Sequence, residues 1–224
     1  MGDEKTSGKS WFTPADLNIK IDETAYLSMD LSASALKGKR SKVSTLGEHA
    51  RDQNLLANCQ RALEASRSAG AYVVHVRVAL RPGYPEYGKE CAPLWQRVRE
   101  TEAYMEGTTG TQICEEVAPR GDEPIITKNT VDPFVYSDLD KILRVRGIKY
   151  IVLTGIATSN VVEGTARAGS DRGYVPIVLE DCAADYNEEM HRFQITKLLP
   201  MHSIVSNSTK YIEALRRGKK EGNG

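Results

Sequence analysis

The chain has 224 residues, with 30 Lys plus Arg set against 30 Asp plus Glu and a formal net charge of zero. A chain of this length buries roughly 70–75% of its unfolded surface without disulfide or metal staples. Its charge balance gives no electrostatic reason to bind nucleic acid or an anionic membrane. The four cysteines, Cys59, Cys91, Cys114 and Cys182, stand apart with no CxxC pair, which argues against a disulfide scaffold or zinc knot and fits a reducing compartment.

No apolar run reaches the length of a membrane span, and the polar start MGDEKTSGKS lacks the apolar core of a signal peptide. Met1-Gly2 with Thr6 formally matches the myristoylation pattern, but Asp3 and Glu4 weaken it, and the segment reads as a plain tail. The expectation is a cytoplasmic protein with flexible tails at 1–20 and 218–224 around one domain at 21–217.

From residue 24 onward, apolar and amphipathic runs alternate. TAYLSMDL (24–31) reads as a strand, LLANCQRALEASRSAG (55–70) as a helix closed by Gly70, and AYVVHVRVAL (71–80) as a strand. The stretch from RPGYPEYGKECAP to about residue 120 has no strong period and predicts a long excursion, with a short helix around Trp95 to Arg99. EPIITK (123–128) is a short strand, and SDLDKILRVRG (137–147) a helix with Ser137 and Asp140 as a capping pair. YIVLTGI is the next strand. It runs directly into a helix ending at Gly173, with Asn160 and Glu163 spaced as a capping box. YVPIVLED (174–181) is a strand, NEEMHRFQITKLL a helix, HSIVS a strand and STKYIEALRRG a closing helix. Strand alternating with helix about six times predicts a three-layer α/β domain around a six-stranded, mostly parallel open sheet of Rossmann type.

In such a sheet, ligands bind beyond the C-terminal ends of the strands. That rule selects Asp30, Lys128 and the turn at 158–161. Asp30 follows an apolar run that would raise its pKa and suit it to acid/base work, and Lys128 could pair with it. A turn carboxylate and a solvated lysine are the plain alternatives. Asn160 could hydrogen-bond a substrate oxygen or merely cap its helix. Arg77 and Arg81 flank the end of the second strand, where either could face a substrate carboxylate or form a surface ion pair. Tyr84, Tyr87, Trp95 and Phe134 lie in loops on the same rim and could wall a pocket for a planar ligand or form a dimer contact. His49, His75, His191 and His202 show no metal-ligand spacing, and neither Thr158 nor Ser159 has a histidine near it in sequence. No metal and no cofactor are expected.

GIKYIVLTGIATSNVVEGTARAGSDRGYVPIVLEDCAAD resembles the signature region of the isochorismatase-like hydrolase superfamily. TAYLSMDL resembles its first strand and IITKNTVDPF its lysine segment, so the resemblance runs from about residue 24 to 205. It implies Asp30 as acid/base, Lys128 as its partner, and a non-proline cis peptide at Ile156-Ala157. Members with a nucleophile carry Cys seven positions into the glycine-started motif, and that position here is Val161. Valine cannot attack a carbonyl, so the resemblance implies Cys-independent hydrolysis of a small anionic or aromatic metabolite, with Asn160, Val161, Arg81, Tyr87, Trp95 and Phe134 around the substrate. Two alternatives stay open: a catalytically silent ligand-binding or oligomer-forming member, and an amidohydrolase with a substituted nucleophile position. Enol-ether hydrolysis is allowed, although Val161 is bulkier than the small residue the isochorismatases proper carry there. Family members usually associate, which implies a homodimer or homotetramer.

Overall fold

Strands buried on both faces read as near-continuous apolar runs, and such runs form the centre of a six-stranded parallel sheet in the computed structural model, which describes residues 14–36 and 46–221. The strands are β1 (Thr24–Met29), β2 (Tyr72–Val78), β3 (Ile125–Lys128), β4 (Tyr150–Ile156), β5 (Val175–Ala184) and β6 (Ile204–Ser206). Their order across the sheet is β3-β2-β1-β4-β5-β6. Every residue of β1 is buried, and its side chains alternate between two cores because successive Cβ atoms point to opposite faces.

The helices are α1 (Ala33–Leu36), α2 (Leu46–Asp52), α3 (Leu55–Ala69), α4 (Pro93–Glu100), α5 (Leu139–Val145), α6 (Glu163–Asp171), α7 (Glu188–Phe193) and α8 (Ser208–Glu221). On one face Tyr26, Val152 and Ile177 pack against Cys59 and Leu63 of α3 and Tyr211 and Leu215 of α8. On the other, Leu27, Val74 and Ile151 pack against Leu143 of α5, Ala166 of α6 and the Ile195–Leu199 stretch after α7. This is the three-layer α/β arrangement read from the alternation of runs. No helix among the described residues is long and apolar enough to cross a membrane.

Several boundaries differ from the sequence reading, each for a local reason. Residues 1–13, with the myristoylation pattern, lie outside the described residues. Residues 14–20, expected as tail, pack along the β6 edge: Ala15 N donates to Val205 O at 3.0 Å, Ser206 Oγ donates to Ala15 O, and Leu17 and Ile19 are buried. At the other end α8 continues through 218 to Glu221. β5 runs to Ala184, beyond the expected 181, because a register shift opposite Leu153–Gly155 lets it pair again with the end of β4. The segment after α7 tightens and loosens through turns at Gln194–Leu198 and Leu199–Met201 instead of continuing as one helix. Ser137 accepts the Leu139 N–H at 3.1 Å as a capping residue would, whereas Asp140 pairs with Arg144 instead.

The chain lays down β1, β2 and β3 in one direction and then returns to place β4 on the other side of β1. The crevice at this reversal, beyond the C-terminal ends of β1 and β4, is where a sheet of this order binds ligands. The two strands approach closely there. Gly155 adopts φ +129°, and a Cβ on it would stand 1.9 Å from the Met29 carbonyl oxygen. Gly169 in α6 is also crowded, but its neighbour at 2.7 Å is the terminal methyl of Ile151, which can swing away. Gly155→Ala is therefore expected to cost about 3 kcal/mol or more, and Gly169→Ala about 1 kcal/mol or less. Denaturant unfolding of the two variants checks this, and equal losses would refute the close-approach account.

Candidate active site

Asp30 follows β1 directly. Its N–H donates to Val76 O at 2.9 Å, and its backbone adopts φ +55°, in the left-handed region. This turns the carboxyl out over the end of the sheet. Lys128 closes β3, two strands away, and its buried side chain passes the end of β2 to place Nζ 2.9 Å from Asp30 Oδ2. The same ammonium donates to Thr130 O at 2.9 Å. Asp30 Oδ1 is buried and has no hydrogen-bond partner among the described residues. Burial pushes the Asp30 carboxyl above its ordinary value, and the ammonium of Lys128 pulls it only part of the way back.

The pair floors a cleft of about 500 Å³, counting its open mouth. Val78, Leu94, Trp95, Val98 and Val131 form apolar walls, and Asn160, Val161 and Tyr186 close the side toward β4. Polar groups are confined to the Asp30 end and to the Asn160–Tyr186 edge, where Asn160 Nδ2 donates to Tyr186 Oη at 3.3 Å. The Ile156–Ala157 peptide is cis and lines the same cleft.

A wide π-type turn over Thr158–Val162 leads into α6. Asn160 does not cap it, contrary to the capping-box reading. Asp185, from the end of β5, does: its carboxylate accepts the Ser159 N–H at 2.7 Å, the Ser159 hydroxyl at 2.9 Å and the Tyr186 N–H at 2.9 Å. With the turn held by Asp185, Asn160 is freed to face the cleft. Behind it, Thr158 Oγ1 lies 2.8 Å from His191 Nδ1, and the Asp185 N–H donates to His49 Nδ1 at 3.1 Å. The two imidazoles meet at 5.2 Å between centroids. The sequence showed no histidine near Thr158, and the fold supplies one from α7. Thr158 is fully buried, so the contact supports the turn and does not present a nucleophile. Burial and its neighbour His49 lower the His191 pKa to about 3.

Of the residues chosen from sequence, Asp30, Lys128, Asn160, Val161 and Trp95 line the cleft together. Arg81, Tyr87 and Phe134 do not. Arg81 is tied to Glu86 at 2.8 Å on the outer surface. Tyr87 stacks behind Trp95 at 4.3 Å and donates to Asn129 O, so it braces the wall without forming it. Phe134 is buried under α6, stacked on Tyr174 at 5.8 Å and covered by Arg172 at 4.7 Å. Lying on the correct rim did not fix which way these side chains point. Tyr104 and Tyr186 are cleft residues that the sequence reading missed. Tyr104 lies in the aperiodic excursion, where no pattern marks it. Tyr186 follows the LEDCAAD strand end, where the strand-end rule would have found it. None of the four cysteines lines the cleft; Cys59 and Cys182 are buried together between α3 and β5, with Cys59 Sγ 3.4 Å from Cys182 O. Among the described residues no cluster of His, Cys, Asp and Glu could hold a metal ion.

The family model of the isochorismatase domain matches residues 25–210. A ureidoacrylate amidohydrolase RutB from Stutzerimonas stutzeri (strain A1501) is 31% identical over 180 residues, covering 75% of this chain and 72% of its own. The RutB of Pseudomonas savastanoi pv. phaseolicola (strain 1448A / Race 6) is 29% identical over 215 residues, covering 87% and 85%. Among solved structures, an isochorismatase-like hydrolase from Alkaliphilus metalliredigens matches with a TM-score of 0.72 at 26% identity, over 86% of this chain and 98% of its own. A cysteine hydrolase from Pseudomonas syringae pv. phaseolicola 1448A reaches 0.80 at 21% identity over 93% and 100%, a likeness of fold.

The buried imidazoles make the support of this turn sensitive to acid. His191 is held from its ordinary 6.5 down to about 3, and burial lowers His49 as well. Between those limits the unfolded chain binds the proton that the folded chain refuses. The contribution of His191 to stability is therefore full above pH 6.5 and falls as the pH drops toward 3, by about 1.4 kcal/mol per pH unit, and His49 adds to the loss in the same direction. Denaturant unfolding at pH 7.5 and 5.5 is expected to show this loss. His191→Gln removes one histidine's share of it, and an unchanged difference in that variant would show that His191 is not the group responsible.

Proposed function

Because the chain belongs to the isochorismatase family of hydrolases, we propose that it hydrolyses a small metabolite by direct attack of water, with Asp30 as acid/base and no covalent intermediate. One observation carries the reading. Asp30 is anchored through Oδ2 by Lys128 while its other oxygen, Oδ1, is unpartnered at the floor of the cleft. Opposite it, the position that holds a thiol in nucleophile-bearing members is Val161, whose side chain serves as wall. With no thiol among the described residues that line the cleft, solvent is the nucleophile in this reading. A carboxylate raised by burial is a stronger base than an ordinary one and is suited to take a proton from it.

The bond cleaved is a C–N bond of a small amide or ureide, the chemistry named for the RutB relatives. Water attacks the carbonyl carbon and its proton passes to Asp30. The tetrahedral adduct then collapses as Asp30 returns the proton to the leaving nitrogen. Lys128, fixed by Thr130 O, steadies the carboxylate between turns of the cycle. Trp95, braced by Tyr87, and the valines hold the apolar body of the substrate, and Asn160 supplies a directed amide at the polar edge.

The test is hydrolysis of ureidoacrylate, followed by ammonia release, with pyruvate release from isochorismate run in parallel. Ureidoacrylate turnover is expected, and Asp30→Asn should lower kcat/KM at least about 100-fold. Because Asp30 must begin as carboxylate, activity should fall as the pH drops through its pKa, above the ordinary 3.8. A fall on the alkaline side of that pKa would mean that Asp30 begins as an acid, which suits enol-ether cleavage and refutes the water-first order. No turnover of either compound, with ligand binding unaffected by Asp30→Asn, would support a silent binding protein instead.

A further inference from the structure

The geometry points to Tyr104 as a catalytic residue that, with Asp30 Oδ1, holds the attacking water; the inference rests on the direct-water reading above. Tyr104 and Asp30 line the same cleft from different elements. The tyrosine's backbone is fixed where the chain returns to the end of β2: Leu80 N donates to Tyr104 O at 2.9 Å and Glu106 N to Leu80 O at 2.7 Å. It adopts φ +56°, which turns the residue out of the local chain direction, and its ring packs with Val78, Tyr84 and Val98. Held in this way, Tyr104 lines the cleft together with Asp30.

The two polar atoms fit each other through a shared partner. Asp30 Oδ1 is buried without a hydrogen bond, a costly arrangement for a carboxylate oxygen. The Tyr104 phenol senses the Asp30 charge, which helps to raise its pKa, and the two residues are not directly hydrogen-bonded. An atom between them satisfies both: a water that accepts the Tyr104 O–H on one lone pair and donates one O–H to Asp30 Oδ1. Its second lone pair is left for the substrate. Burial keeps the phenol protonated, so it acts as a fixed donor.

In the step itself, that second lone pair forms the C–O bond, and the carbonyl π pair moves onto the carbonyl oxygen. The O–H facing Asp30 breaks and its proton goes to Oδ1. As the water loses that proton its oxygen becomes hydroxide-like, and the Tyr104 O–H steadies the growing charge. The C–N bond then breaks as the carbonyl re-forms, and the proton on Asp30 leaves with the nitrogen. No oxidant or further reactant is required.

Tyr104→Phe tests this, with Tyr84→Phe as a control. Tyr84 sits in the same packed cluster and donates to Ala103 O at 3.0 Å, but it does not line the cleft. Tyr104→Phe is expected to lower kcat for ureidoacrylate about 100-fold, with KM within about twofold of wild type and the melting temperature retained. An equal loss in Tyr84→Phe would assign the effect to loop packing and overturn the proposal. A second arm needs no turnover: the Asp30 carboxyl is titrated by NMR in protein carrying ¹³C-labelled aspartate, and its signal is identified by its absence in Asp30→Asn. The other ionisable groups facing this site are Lys128 and, one side chain further, Tyr186 and Asp132. Loss of a phenol that polarises the shared water should raise the Asp30 midpoint by about half a pH unit or more. An unmoved midpoint refutes the shared water. Absence of turnover in wild type, with the midpoint still moved, would overturn the direct-water function while leaving the Tyr104–Asp30 pairing intact.

Discussion

The ion pair between Asp30 and Lys128 sets the demands that the rest of the structure meets. Its two members come from β1 and β3, with β2 between them, so the pair forms only if the sheet closes in its observed order and register. The alignment of Val78 with Lys128 and of Met29 with Val76 brings the lysine stem past the end of β2 at the height of the carboxylate. Both groups are largely withdrawn from water. A buried pair of this kind contributes little net stability, because desolvation offsets most of the Coulombic attraction.

Around that pair the fold separates plain core from support for the cleft. The α3–α8 layer is a plain apolar core, sealed by Tyr26, Cys59 and Tyr211. The support for the cleft is assembled at the end of the sheet from elements of both layers. Asp185 fixes the turn after β4, and His49 and His191 fill the space behind it. The polar atoms of this support reach one another across the sequence, from α2, the π-type turn, the end of β5 and α7. Asn160 can face the cleft because Asp185 does the capping that Asn160 would otherwise do.

This division explains what was legible in the sequence. β1 and β4 were readable because a strand buried on both faces must be apolar along its whole length, and TAYLSM and YIVLTGI are apolar runs of that kind. Asp30, Lys128, Asn160 and Val161 were readable because they stand at strand ends, where the polypeptide leaves the sheet and chemistry becomes possible. Helix α2 escaped notice because LGEHARD carries no apolar stripe long enough to announce it. Tyr104 escaped because its place is set by pairing with Leu80, far back along the chain, and not by any local pattern in the long excursion. Arg81, Tyr87 and Phe134 show the converse error: a residue type suited to binding, in a loop on the correct rim, says nothing of where its side chain ends.

Several unfavourable features fall together on Asp30. It is a non-glycine residue at φ +55°, it is a carboxyl in an apolar surrounding, and one of its oxygens has no partner. A merely structural turn at the end of β1 would be served by glycine at that φ without burying any charge, and a merely structural contact to Lys128 would leave no oxygen idle. Strain and unsatisfied polarity of this kind persist where the surroundings over-determine them, and they concentrate at sites of chemistry. Val161, on the opposite side of the cleft, is buried among apolar neighbours. The strained aspartate and its lysine remain as part of the cleft floor, with one oxygen held fast and the other presented to whatever enters. A strained and partly unsatisfied aspartate, in one cleft with a tyrosine in the same left-handed conformation, is the physical argument for looking for proton transfer here and not elsewhere on the molecule.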